Sequence, residues 1–184
     1  MGRPRGGPRD RERGDRHHPL RRGRPLPQQR AVWADPSVSV LAVRLAGPAH
    51  AEIRRLAEAA YPNEGCGVLI GAYDGEAVVV EEATSGRNLW TERLRDRYEL
   101  DPADIQAADG RARARDLDVV GFWHSHPDHP AWPSEFDSDR SWVDYAYLIV
   151  NTVSDASGDL NAFSPAGEGL GLRQIVLRLE GGAS

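Results

Sequence analysis

From residue 38 onward, apolar and polar positions recur with two distinct periods. The β-branched alternation over 38–45 predicts a first strand, because side chains alternate between the faces of a strand. Over 48–60, Ile53, Leu56, Ala57 and Ala60 recur at helical spacing and predict an amphipathic helix that Pro62 closes. The apolar runs 66–73 and 76–80, separated by Asp74 and Gly75, predict a hairpin with an Asp-Gly turn. A short strand is expected over 97–100, then a helix over 102–115 with Asp101 as its N-cap. The β-branched run 118–123 predicts a buried strand, and 145–150 a second. A short helix should start at Ser134, and weaker strands over 160–163 and 172–179 end the pattern. This order is that of one mixed α/β domain spanning 37–184, with no internal repeat.

Composition changes this picture at the N-terminus. The chain has 184 residues and 40% hydrophobic content, enough for one core and too little for two large ones. Residues 1–36 are rich in Arg, Pro and Gly and nearly devoid of aliphatic side chains, so they are expected to be a disordered extension. Ten Arg against three acids in the first 30 residues leave the remainder acidic, which argues against a nucleic-acid-binding surface there. No apolar run is long enough for a membrane span and no secretory signal is apparent, so a cytoplasmic protein is expected. The single cysteine, Cys66, excludes an intrachain disulfide and a paired-cysteine zinc ribbon. All 23 basic residues are Arg, so there is no lysine for Schiff-base chemistry.

The candidate chemistry lies in 121–137, GFWHSHPDHPAWPSEFD, with the pattern H-x-H-x(7)-S-x-x-D. His124 and His126 are two residues apart at a strand end and therefore share a face. Asp137 falls in the first turn of the helix predicted from Ser134, where its carboxylate can return towards the imidazoles. Two neutral imidazoles and a carboxylate make a three-ligand zinc site with a fourth position left open, the arrangement of catalytic zinc. Hydrolysis also needs a proton acceptor. Glu64, between a helix end and a buried strand, sits where desolvation raises a carboxyl pKa.

The spacing of His124, His126, Ser134 and Asp137, with Glu64 about sixty residues upstream in an E-x-C-G segment, resembles the JAMM (MPN+) zinc metalloprotease family. The resemblance covers about 38–180. It implies a curved mixed β-sheet flanked by helices, zinc on His124, His126 and Asp137, and Glu64 as the general base that holds the catalytic water. It also implies that Ser134 steadies the water or the oxyanion; on the sequence pattern alone, the Ser-x-x-Asp spacing equally suits a helix-capping box. Within the family, 124–137 resembles bacterial members that act on small ubiquitin-like sulfur-carrier proteins ending in Gly-Gly. A strand-end site beside a sheet edge would suit binding of that tail by strand addition. Trp132 and the loop 87–98 are the candidate contacts for the body of the carrier.

Competing readings are a zinc-free binding module of the same fold and a RadC-type relative. The latter is disfavoured by Asp128 and His129 in place of small residues and by the lack of an upstream helix-hairpin-helix region. A zinc nucleoside deaminase lacks its P-C-x-x-C here. Cys66 reads as a core thiol that could share Glu64's face, Trp123 as packing, and His129 as solvent-facing.

Overall fold

A computed structural model of the chain describes residues 40–154, 156–167 and 169–181. The expected disordered extension over 1–36 lies outside these residues, as do positions 38 and 39 of the expected first strand. The described elements follow the order β1 (Ala42–Ala46), α1 (Gly47–Ala60), β2 (Cys66–Asp74), β3 (Ala77–Ala83), α2 (Pro102–Arg113), β4 (Asp118–Pro127), α3 (Glu135–Asp139), β5 (Ala146–Val153), β6 (Ala156–Pro165) and β7 (Leu172–Glu180). The strands form one mixed sheet in the order β1-β3-β2-β4-β5-β6-β7, which curls until β7 pairs in parallel with β1. β4 lies between β2, antiparallel to it, and β5, parallel to it. The curved mixed sheet implied by the family resemblance is present. β4 is flanked by β2 and β5 and the described strands close on one another, so the sheet edge expected beside the site is absent among the described residues.

Two helices cover the two faces of the sheet. Ala49, Ile53 and Ala57 of α1, one turn apart, are buried with Val43, Leu45, Val78, Val80 and Leu148. Ala108 and Ala112 of α2 are buried against the other face with Val68, Ile70, Phe122, Tyr147 and Ile149. Each fully buried Leu, Ile or Val contributes roughly 1.5–3 kcal/mol, so these two clusters dominate the stability. The α2 N-terminus is capped as expected, with the Asp101 carboxylate accepting from the Ala103 N–H at 2.9 Å. β4 is therefore buried on both faces from Val120 to Pro127. Its alternation sends Phe122, His124 and His126 towards the α2 side and Trp123 and Ser125 towards the α1 side.

Two local expectations need correction. The hairpin turn falls on Gly75 and Glu76, one residue later than expected, because Asp74 pairs with Ala77 and Gly75 takes φ +61°. No strand forms over 97–100. Only an isolated bridge joins Asn88 to Leu100, because the Asn88 side chain takes the place of a ladder: it donates to the Arg97 carbonyl and accepts from the Trp90 and Glu99 N–H groups.

The β2–β4 pair is locked from the side by the segment after β3. The Trp123 indole N–H donates to the Thr84 carbonyl at 2.8 Å, and the Gly86 N–H to the Cys66 carbonyl at 2.8 Å. Gly67 lies under this lock, and a β-carbon there would collide with the Thr84 carbonyl oxygen and the Trp123 indole nitrogen. Gly67→Ala is expected to cost about 3 kcal/mol through overpacking, measured as a shift in denaturant midpoint. Trp123→Phe, which leaves the Thr84 carbonyl unpaired, should cost about 1–3 kcal/mol.

Candidate metal centre

The antiparallel register sets Cys66 opposite His124 and Gly67 opposite Trp123. Continued two residues towards the strand ends, it sets Gly65 opposite Ser125 and Glu64 opposite His126. The continuation is held by hydrogen bonds: the Ser125 N–H donates to the Gly65 carbonyl at 2.9 Å, and the Gly65 N–H donates to the Ser125 hydroxyl at 2.8 Å. The Glu64 N–H is bound to the Leu94 carbonyl at 2.7 Å. Glu64 and the two histidines are thus presented on one face by backbone pairing. All three are buried, at 7% exposure for Glu64, 1% for His124 and 8% for His126.

Asp137 arrives from α3. Ser134 and Asp137 form a reciprocal capping box in which the Asp137 N–H donates to the Ser134 hydroxyl at 3.2 Å and the Ser134 N–H donates to Asp137 Oδ2 at 2.7 Å. The Ser134 hydroxyl also donates to Asp137 Oδ2 at 2.7 Å. In this geometry the serine is a helix cap whose proton steadies the carboxylate. The box turns Asp137 inward, where it is 8% exposed.

His124, His126 and Asp137 bring one potential ligand atom each to within 4.8 Å of one another. His124 Nε2 lies 3.0 Å from His126 Nε2 and 3.3 Å from Asp137 Oδ1, and His126 Nε2 lies 3.6 Å from Asp137 Oδ2. Ligand atoms bonded at about 2.05 Å in a tetrahedron stand about 3.3 Å apart, so these separations suit zinc. The donor set fits as well. His126 Nδ1 donates to the Pro130 carbonyl at 2.9 Å, which leaves the Nε2 lone pair facing the cluster. Among the described residues no arginine pairs with Asp137, so this buried carboxylate has only imidazoles against its charge.

The electrostatics are those of a desolvated site. Burial pushes the Glu64 carboxyl up to about 8, with His126 opposing and Asp137 adding to the rise. Burial lowers the His124 pKa and favours its neutral form. Burial opposes ionisation of Asp137 too, but His124, His126 and Ser134 hold it well below the usual carboxylate range. For His126, burial works against the charged form, while Asp137 and the Pro130 carbonyl outweigh it and raise the pKa.

The remaining expected residues fall as follows. Cys66 shares the face of Glu64 and His124 but is buried and approaches the Gly86 carbonyl at 3.8 Å, outside the three-donor cluster. Burial pushes its thiol up to about 12. Trp123 packs, His129 is exposed, and Trp132 is 53% exposed with its edge against Phe163 at 5.5 Å between ring centroids. From the 87–98 loop, Tyr98 stacks on the His124 ring at 4.6 Å. Sequence reasoning missed Ser125, although its place between two inward histidines puts it on the opposite face, where the Gly65 segment must be held. It also missed the aromatic surroundings of Asp137: a cavity of about 500 Å³ opens beside it, walled in part by Tyr98, Phe136, Trp142 and Tyr147.

Comparison with known proteins agrees with this geometry. Residues 47–164 match the family described as prokaryotic homologs of the JAB domain. A curated relative, a desampylase of Haloferax volcanii, is 40% identical over 104 residues, covering 53% of this chain and 73% of that protein. Tail tip assembly protein K of Escherichia phage N15 is 36% identical over 112 residues, covering 61% of this chain and only 41% of the phage protein. Among solved structures, a protein from Desulfitobacterium hafniense has a TM-score of 0.66 at 26% identity, covering 75% of this chain and 92% of its own. A protein from Salinibacter ruber has a TM-score of 0.56 at 34% identity, covering 76% and 94%. With the family match spanning both the segment that carries Glu64 and the histidine-aspartate cluster, the chain belongs to the JAB/MPN (JAMM) family, among its prokaryotic members.

Proposed function

We propose that this protein is a zinc-dependent peptidase or isopeptidase that cuts the bond after the C-terminal Gly-Gly of a small ubiquitin-like sulfur-carrier protein. His124, His126 and Asp137 are the ligands, Glu64 is the general base and Ser134 supports the oxyanion. One observation carries this reading: a buried carboxyl with its pKa near 8 stands on the same face as a buried three-donor cluster of zinc-like spacing. The likeness to a desampylase supports a JAMM-type isopeptidase acting on a ubiquitin-like protein.

Zinc, when bound there, lowers the pKa of a water and polarises a carbonyl. Glu64 accepts a proton from the attacking water and returns it to the departing amine, a task suited to a carboxyl that exchanges its proton near neutral pH. The Pro130 carbonyl keeps the His126 tautomer that presents Nε2. Ser134, which holds Asp137 through its hydroxyl, turns that proton to the oxyanion as the tetrahedral carbon forms. The preference for two glycines follows from burial: a scissile carbonyl reaches side chains this enclosed only on a backbone without bulk beside it.

Protein purified without added metal should contain, or take up, one zinc per chain by elemental analysis. Absence of both would leave the zinc-free binding module as the better reading. Glu64→Gln should keep zinc and fold while turnover falls about 10³-fold, because an amide cannot accept the proton. Turnover near the parent rate would make Glu64 structural. Ser134→Ala should lower stability by about 1 kcal/mol through loss of the cap and weaken zinc about 10–100-fold in chelator competition, because Asp137 loses its orienting partner. Incubation with carrier-Gly-Gly conjugates should release intact carrier ending in Gly-Gly by mass spectrometry. Cleavage of unrelated unfolded peptides instead would point to a broader metallopeptidase.

A further inference from the structure

The cavity beside Asp137 has no role in the chemistry above, yet it shares that residue with the three-donor cluster. Asp137 is part of its wall, and Tyr98, stacked on the His124 ring at 4.6 Å, lines it as well. Leu100, Ile105, Phe122, Trp142 and Tyr147 form much of the rest. This wall is held in place. The Trp142 N–H donates to the Tyr147 hydroxyl at 2.6 Å, and the Trp142 ring meets Phe122 edge-on at 5.4 Å between centroids. The hydroxyl is thereby engaged by the protein's own backbone. The other charged groups of the wall, Glu99, Asp139 and Arg140, are exposed to solvent; Arg140 lies 3.7 Å from Glu99, and its guanidinium covers the Phe136 ring at 4.3 Å.

A volume of about 500 Å³ is that of a small-ligand site. It exceeds what a glycine can fill. On the reading that the acyl side of the scissile bond is Gly-Gly, neither residue there carries a side chain to place in it. The first side chain available next to the centre belongs to the residue that follows the bond. We propose that this cavity receives that side chain and selects a large apolar or aromatic residue, so that the leaving group is an apolar amino acid or a peptide beginning with one. This assignment rests on the carrier-cleaving reading above and adds to it the chemistry of the departing residue.

The test is a series of carriers ending in Gly-Gly-X, with X as Gly, Ala, Leu, Phe, Asp or Lys, cleaved by the zinc-loaded full chain. kcat/KM for Leu and Phe should exceed that for Gly by at least about 10-fold, the discrimination an apolar pocket provides. Equal rates within about 2-fold, or a preference for Asp or Lys, overturn the proposal. Ile105→Trp, with its fold checked by circular dichroism, should reduce the Phe-to-Gly ratio about 10-fold. A second readout uses no turnover: N-acetyl-phenylalanine amide added to the zinc-loaded protein should shift the NMR signals of the Leu100 and Ile105 methyls and the Trp142 indole, and N-acetyl-glycine amide should not. No shift with the phenylalanine amide overturns the pocket assignment. Shifts with no cleavage of any carrier would support the apolar pocket and bring down the carrier reading alone.

Discussion

The antiparallel register that sets Cys66 against His124 is the constraint on which the site depends. Side chains of a strand alternate, so a slip of one residue would send His124 and His126 to the α1 side and Trp123 and Ser125 to the α2 side. The register is specified by burial on both faces. Phe122 fits only among the α2-side apolar residues, and Trp123 only where its indole reaches the Thr84 carbonyl. Its continuation through Gly65 and Ser125 then delivers Glu64 opposite His126, with the Glu64 N–H held by the Leu94 carbonyl of the facing loop. Glu64 and the two histidines are placed by the same ladder.

That placement carries an electrostatic cost. Two imidazoles and two carboxyl groups, each under a tenth exposed, are held together, and among the described residues no arginine pairs with Asp137. Desolvation raises Glu64, lowers His124 and forces Asp137 to take hydrogen bonds from Ser134 and the imidazoles. A fold selected for stability alone would fill such positions with apolar residues, since replacing buried charges by well-packed hydrophobes is often neutral or stabilising. Retaining them, two on the most enclosed strand of the sheet, is a mark of chemistry. A divalent cation is the species that this donor set complements.

Asp137 depends on a different device. Its carboxylate is turned inward by a helix of one turn, whose capping box closes through Ser134. The aromatic cavity begins at the same residue, so one short segment sets both the third donor and one wall of the space beside the centre. The Asn88 side chain organises the facing loop, from which Tyr98 reaches the His124 ring. Ladder, cap and loop thus meet at the three-donor cluster from three separate parts of the chain.

Much of this was legible in the sequence because it depends on local rules. Strand alternation placed His124 and His126 on one face, the Ser-x-x-Asp spacing announced the capping box, and periodicity located most of the elements. The turn at Gly75 and the loop at 97–100 were misread because a one-residue shift in pairing and a side chain acting as a ladder leave no periodic trace. The position of Glu64 opposite His126, the clamp through Ser125, the closure of the sheet and the cavity beside Asp137 were decided only in three dimensions. Each joins segments far apart in the chain, and sequence spacing does not determine which strands pair or what desolvates a given side chain. The chain by itself determined which chemical groups were present and which faces they shared. The tertiary structure decided their neighbours, and through burial it set the pKa values and the shape of the space in which they work.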